Sequence, residues 1–219
     1  MNKLTRGQII AIGTLFILCG ILIFSSQYLL DKKNSLFELI NMQLYFNQMD
    51  NEPDAPEVVQ EPPVENEPEP EEKNEPEVIT ESYVAVLEIP EIDLKKGIYA
   101  LGSRYNTVSR NVSILSPSDY PDREGGNFVL AAHSGNGYLS FFRNLYKLGV
   151  GSNAYVYYNN IKYTYKITYI YKQQKTGTIN VYRPYGKTTL MLITCTKDDE
   201  SSQTVYVAEL MGKEPYENM

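Results

Sequence analysis

The chain has one histidine and two cysteines among its 219 residues. His133 is therefore the sole imidazole available to any reaction, and imidazole is the side chain that titrates nearest neutral pH. The cysteines lie in unlike surroundings, Cys19 inside an apolar run near the amino terminus and Cys195 far downstream, which excludes a disulfide within one chain. Concentrated basic charge is missing too. The 15 basic and 12 acidic residues of 83–219 leave a scattered +3, whereas nucleic-acid binding leans on clustered Lys and Arg, so no nucleic-acid role is expected. A calcium-binding pattern is also lacking. Lys197-Asp198-Asp199-Glu200 supplies too few oxygens for a cation that takes about six or more and reads as a solvated turn; neither a metal nor a cofactor is expected.

Charge is absent again, with a different meaning, from Ile9 to Phe24. Taken from Gly7 to Leu30 the run is long enough for a membrane helix, which needs about 20 mostly apolar residues. No small-x-small cleavage site follows it, which argues against a removable signal peptide despite Lys3 and Arg6 ahead of it. Phe16-Ile17-Leu18 before Cys19 are too bulky for a lipid-attachment signal. Residues 1–30 are thus predicted to be an uncleaved anchor. Lys3, Arg6 and the amino terminus set against Lys32 and Lys33 give a slight bias towards an inside amino terminus, with the bulk of the chain outside the cell. Over 31–49, Leu36, Leu39, Ile40, Leu44 and Phe46 recur at helical spacing. This stretch either continues the anchor helix or forms a short amphipathic one, lying on the membrane surface or covering the distal domain.

The composition then changes abruptly. Residues 50–82 hold 13 acids, seven prolines and a single lysine. Proline denies helix and sheet their hydrogen bonds while like charges repel, so an extended, disordered linker is predicted. The segment carries −12 of a chain whose total is −7. The acidity of the protein therefore belongs to the tether, or to a lid if the tether folds back, and not to the distal domain.

The remaining 137 residues, 83–219, are of ordinary domain size and read as mainly β. Runs at 83–89, 127–132, 154–158, 162–171, 189–194 and 204–210 are rich in β-branched and aromatic side chains. Asn159-Asn160 is a predicted hairpin turn between two of them. Leu139, Phe142, Leu145, Tyr146 and Leu148 predict one short helix closed by Gly149 and Gly151. Many short strands and little helix suggest a closed or nearly closed barrel.

Chemistry concentrates at two strand ends. His133 lies in the run Val129-Leu130-Ala131-Ala132-His133-Ser134-Gly135, and Cys195 ends Leu190-Met191-Leu192-Ile193-Thr194-Cys195. A thiol nucleophile needs a neighbour that holds it as thiolate or protonates the leaving group, and the single imidazole can do both. These two stretches, with Val86-Leu87-Glu88-Ile89-Pro90-Glu91-Ile92-Asp93-Leu94 and Leu145-Tyr146-Lys147-Leu148-Gly149-Val150-Gly151-Ser152, resemble the sortases in the family's order. Sortases are cysteine transpeptidases that attach surface proteins to the Gram-positive envelope. The resemblance covers about 83–210 and is strengthened by the anchor and spacer ahead of it.

The resemblance implies a sortase-like closed β-barrel of about eight strands with one or two short helices, preceded by an N-terminal transmembrane helix. It implies that Cys195 attacks an LPxTG-like sorting-signal peptide to form a thioester, and that His133 carries the proton. An amine on a peptidoglycan precursor or a pilin then takes the acyl group. The class, B-like or D-like, stays open. The family also has an arginine on the last strand, facing the oxyanion, and alignment of 204–210 with that strand sets Gln203 there. Gln203 itself, or Arg104, Arg143 or Arg183, would supply the missing donor. The alternative is a membrane-tethered, sortase-like peptide-binding module with little or no catalysis. The segment 172–185 corresponds to the cover of the family's peptide groove.

Overall fold

The computed structural model describes residues 6–50 and 82–216. The predicted acidic linker lies almost wholly outside the described residues. The chain divides into two compact units, Met1–Asn41 and Met42–Met219. One α-helix, α1, runs Arg6–Asp50 without a break between the predicted anchor and its extension. Among the described residues, no helix is long and apolar enough to cross a membrane. The expected transmembrane segment is thus helical in this structure, and the structure does not show it as a membrane span.

Eight strands make up the second unit: β1 Ala85–Ile89, β2 Leu94–Ile98, β3 Ser113–Ile114, β4 Asn127–Ala131, β5 Asn153–Tyr158, β6 Ile161–Gln174, β7 Thr189–Cys195 and β8 Ser202–Pro215. They form one sheet in the order β2-β1-β5-β6-β8-β7-β4-β3. Only β4 and β7 pair in parallel. The sheet curls until its end strands approach each other, and the Asn111 side chain crosses the gap, donating from Nδ2 to Gly97 O at 2.7 Å. This is a nearly closed barrel, as the strand pattern led one to expect.

Alternation sorts the side chains. Phe128 and Leu130 of β4, Tyr163 and Tyr165 of β6, Leu190 and Leu192 of β7, and Tyr206 and Ala208 of β8 fill the barrel. The intervening residues Val129, Ala131, Met191, Ile193, Val205 and Val207 form a second apolar cluster on the outer face. Strands covered on both faces read as unbroken apolar runs, which is why β4 and β7 show so little polar alternation in the sequence.

Asn159 and Asn160 join β5 to β6 with φ of 48° and 57°. Two consecutive positive φ angles define the type I′ hairpin turn, and Asn tolerates that region better than most residues. The predicted turn is present. The predicted helix over 139–148 is not. Its place is taken by successive i to i+3 turns, with Arg143 N bonded to Ser140 O, Leu145 N to Phe142 O and Leu148 N to Leu145 O, and only Leu145–Lys147 is a 3₁₀ helix. Phe142, Leu145 and Leu148 are buried, and their spacing of three suits a helix of about three residues per turn as well as an α-helix.

The end of α1 belongs to the barrel unit. Tyr45 and Met49 pack on Tyr83, Val86 and Tyr157, and Tyr45 Oη donates to Tyr157 O at 3.0 Å. The apolar face of 42–49 thus covers the outer side of β1 and β5, one of the two locations the sequence left open.

Candidate active site

Strand pairing brings the two candidate residues to neighbouring strand ends. In the parallel β4–β7 pair, Ala131 stands opposite Ile193. His133 and Cys195 each follow two positions later; Cys195, still within β7, shares the outer face of Met191 and Ile193, while His133 stands in the loop that leaves β4. Three cross-strand bonds continue the pairing past its last registered residues. Ala132 N donates to Ile193 O at 3.3 Å, Thr194 Oγ1 donates to Ala132 O at 2.8 Å, and Ser134 Oγ donates to Cys195 O at 2.8 Å. The His133 carbonyl accepts from Phe142 N at 2.9 Å, and Phe142 is fully buried, so the loop after β4 is anchored in the barrel. Cys195 is a half-buried free thiol, and His133 is exposed.

The same face continues across β8 and β6. Cys195 faces Gln203 in the β7–β8 register, and Gln203 faces Gln173 in the β6–β8 register. Directly opposed residues on neighbouring antiparallel strands have Cβ atoms about 4.5–5.5 Å apart. Cys195, Gln203 and Gln173 therefore form a row across β7, β8 and β6 at one end of the outer apolar cluster, with His133 two residues beyond the end of β4.

Val129 of that cluster lies at the floor of a cleft of about 400 Å³, lined by apolar Leu115, Ile179 and Val181 and by polar Asn127, Thr178 and Arg183. Its roof is the loop 175–188, which packs Ile179 onto the floor. Side chains of β6 hold the roof: Tyr171 Oη donates to Asn180 O at 2.5 Å and accepts from Tyr182 N at 3.2 Å, while Gln173 Oε1 accepts from Asn180 N at 3.0 Å. The lining of this cleft, part apolar and part polar, does not include His133, Cys195, Gln203 or Gln173.

Each of the three candidate arginines is engaged elsewhere. Arg183 pairs with Asp119 at 3.3 Å and donates to Gly125 O. Arg143 donates to Gly137 O at 2.9 Å, and Arg104 donates to Tyr105 Oη at 2.9 Å. Among the four predicted alternatives, Gln203 is the one opposite Cys195. The acidic turn after Cys195 is held by its own atoms, Asp199 accepting from Ser201 N at 3.0 Å and from Ser201 Oγ at 2.6 Å. The Ser201 hydroxyl bond is the chief reason its carboxyl lies below the ordinary range.

Sequence reasoning missed Ser134, Thr194 and Gln173 as site residues. The first two stand within the quoted motifs, but a side-chain bond between strands 60 residues apart leaves no local signal. Gln173 ends a tyrosine-rich strand and becomes visible only through the β8 register.

Comparison with known proteins converges on one family. The family model described as Sortase domain matches residues 87–211. Among solved structures, the lid mutant of Streptococcus agalactiae sortase C1 is 26% identical, with TM-score 0.53, over 61% of this chain and 71% of that one. A Clostridium perfringens sortase D5 transpeptidase is 24% identical, with TM-score 0.51, over 60% of this chain and 80% of that one. Streptococcus pneumoniae sortase C, described for its pilin substrate specificity, is 21% identical, with TM-score 0.55, over 63% and 72%. No curated protein is matched.

Proposed function

The chain belongs to the sortase family, and from that premise we propose that it is a membrane-anchored cysteine transpeptidase in which Cys195 and His133 do the chemistry. The Cys195 thiolate attacks a backbone carbonyl of an LPxTG-like sorting signal. The C–N bond breaks as His133 gives its proton to the departing amine, leaving a thioester on Cys195. An amine of a peptidoglycan precursor or a pilin then attacks the thioester, His133 takes up its proton, and the C–S bond breaks to release the Cys195 thiolate as a new amide forms. An amide nitrogen leaves poorly until protonated, so the acid is as necessary as the nucleophile.

The oxyanion formed in each step needs a donor, and Gln203 fills that role through its carboxamide. A neutral amide donates a hydrogen bond without a full charge, and removing one such donor lowers rates by about 10²- to 10³-fold. The single observation that supports the reading is the parallel β4–β7 pairing, which ends two residues before His133 and Cys195. The apolar run of α1 serves as a single-pass anchor, with residues 50–82 as a spacer that lets an extracellular domain reach envelope substrates.

The test is an acyl-transfer assay on the full chain in detergent with an LPxTG-like peptide and an amine acceptor. Transfer that disappears in Cys195→Ala and in His133→Ala is expected. Peptide binding with no transfer in the wild type would replace this reading with the non-catalytic binding module, which the substitution of glutamine for the family's arginine favours.

A further inference from the structure

Gln173 has one end of its carboxamide assigned and the other free. Oε1 accepts from Asn180 N at 3.0 Å, and a flipped amide would turn its NH₂ against that N–H, so the orientation is fixed by its partner. Nε2 is then a committed donor, and it is buried with no hydrogen-bond partner. Among the described residues one other buried side-chain atom shares that condition, Tyr165 Oη, which belongs to the barrel interior. Buried donors are nearly always satisfied in native proteins. An exception where the loop 175–188 bonds to β6, in register with Gln203 and through it with Cys195, calls for an acceptor that arrives with the substrate.

We propose that Gln173 is a substrate-binding residue whose Nε2 donates to a carbonyl oxygen of the bound peptide, so that Gln203 and Gln173 form a two-amide ladder beside Cys195. The inference rests on the transpeptidase reading above. Strands in a sheet are about 4.8 Å apart and an extended chain advances about 3.3 Å per residue. Gln173 is two strands from Cys195 through the shared partner Gln203, which corresponds to a peptide carbonyl about three residues from the reacting one. The roof does not depend on Gln173 alone, because Tyr171 bonds both Asn180 O and Tyr182 N. Its donor function is therefore separable from its clamp function.

The separating variants are Gln173→Glu and Gln173→Met, made in the full chain. Glutamate keeps an acceptor for Asn180 N and loses the donor; methionine loses both at similar size. Loss of one substrate hydrogen bond is expected to raise KM for the LPxTG-like peptide about tenfold in both variants, with kcat little changed. The rate of Cys195 alkylation by iodoacetamide, which needs no peptide contact, is expected to match the wild type. If Gln173 only clamps the roof, Gln173→Glu keeps the wild-type KM while Gln173→Met does not, and the proposal is overturned. Should Gln173→Glu fail to fold, an unchanged KM in Gln173→Met overturns it equally. A wild-type chain that never acylates would sink the transpeptidase reading instead, a result distinct from an active wild type matched by its Glu variant.

Discussion

Two hydroxyls hold the strand ends that carry His133 and Cys195, and removing them one at a time separates stability from catalysis. Thr194 is buried and donates to Ala132 O at 2.8 Å. Thr194→Val keeps the volume, so no cavity opens. The loss is one buried hydrogen bond plus an acceptor left unpaired, together about 1.5–2.5 kcal/mol. At about 4 °C per kcal/mol for a domain of this size, Tm falls by about 6–10 °C. Ser134 is only half-buried, so Ser134→Ala removes about 0.5–1 kcal/mol and about 2–4 °C. Its effect on rate is the larger per degree lost, because Ser134 follows His133 directly and grips the carbonyl of Cys195 itself. Misplacement by about 1 Å can lower a rate by about 10²-fold, and a tenfold or greater fall in Cys195 acylation is expected in Ser134→Ala. Differential scanning fluorimetry and intact-mass kinetics at 25 °C give the two readouts. An acylation rate within twofold of wild type in Ser134→Ala would refute the argument that these bonds set the catalytic geometry.

Three further outcomes test the fold beneath the site. A Cβ at Gly97 would stand 2.2 Å from Tyr83 ring carbons, so Gly97→Ala should destabilise by about 1–3 kcal/mol in urea titration; an unchanged midpoint would mean that the ring is not packed there. Asn160 has φ of 57°, and Asn160→Val should lose about 1–2 kcal/mol because a β-branched residue is strained in the left-handed region. Burial pushes the phenols of Tyr45, Tyr157, Tyr165 and Tyr206 above their ordinary value, with Glu88 adding to the effect at Tyr157 through the bond from Tyr157 Oη at 2.7 Å. The unfolded chain ionises near pH 10 while these groups stay protonated in the fold, so stability is full below about pH 10 and falls as pH rises above it. A Tm that holds steady from pH 9 to pH 11.5 would contradict that burial.

The strands that sequence reasoning found are those with apolar residues to announce them. β7 and β4 are covered on both faces and read as continuous runs, and Asn159-Asn160 marks its turn by chemistry that few other pairs supply. β2 escaped notice because Lys95, Lys96 and Gly97 interrupt it, and β3 because Ser113 and Ile114 are too short to make a pattern. The 139–148 segment was misjudged because three-residue and 3.6-residue spacings place the same side chains inwards over so few turns. His133 and Cys195 stand out as candidates because each residue type is scarce and each sits in a recognisable run. Gln203 was reached through the resemblance, and the structure sets it opposite Cys195 in the β7–β8 register. Gln173, Ser134 and Thr194 owe their positions to pairings between distant strands, which neither composition nor period can encode.

The most direct test of the central claim is intact-mass spectrometry of the full chain after brief exposure to an LPxTG-like peptide without an amine acceptor. The account predicts a mass increase equal to the acyl fragment, mapped to Cys195, released by hydroxylamine and absent in Cys195→Ala. No adduct on a folded chain that binds the peptide, or one that persists in Cys195→Ala, would contradict it.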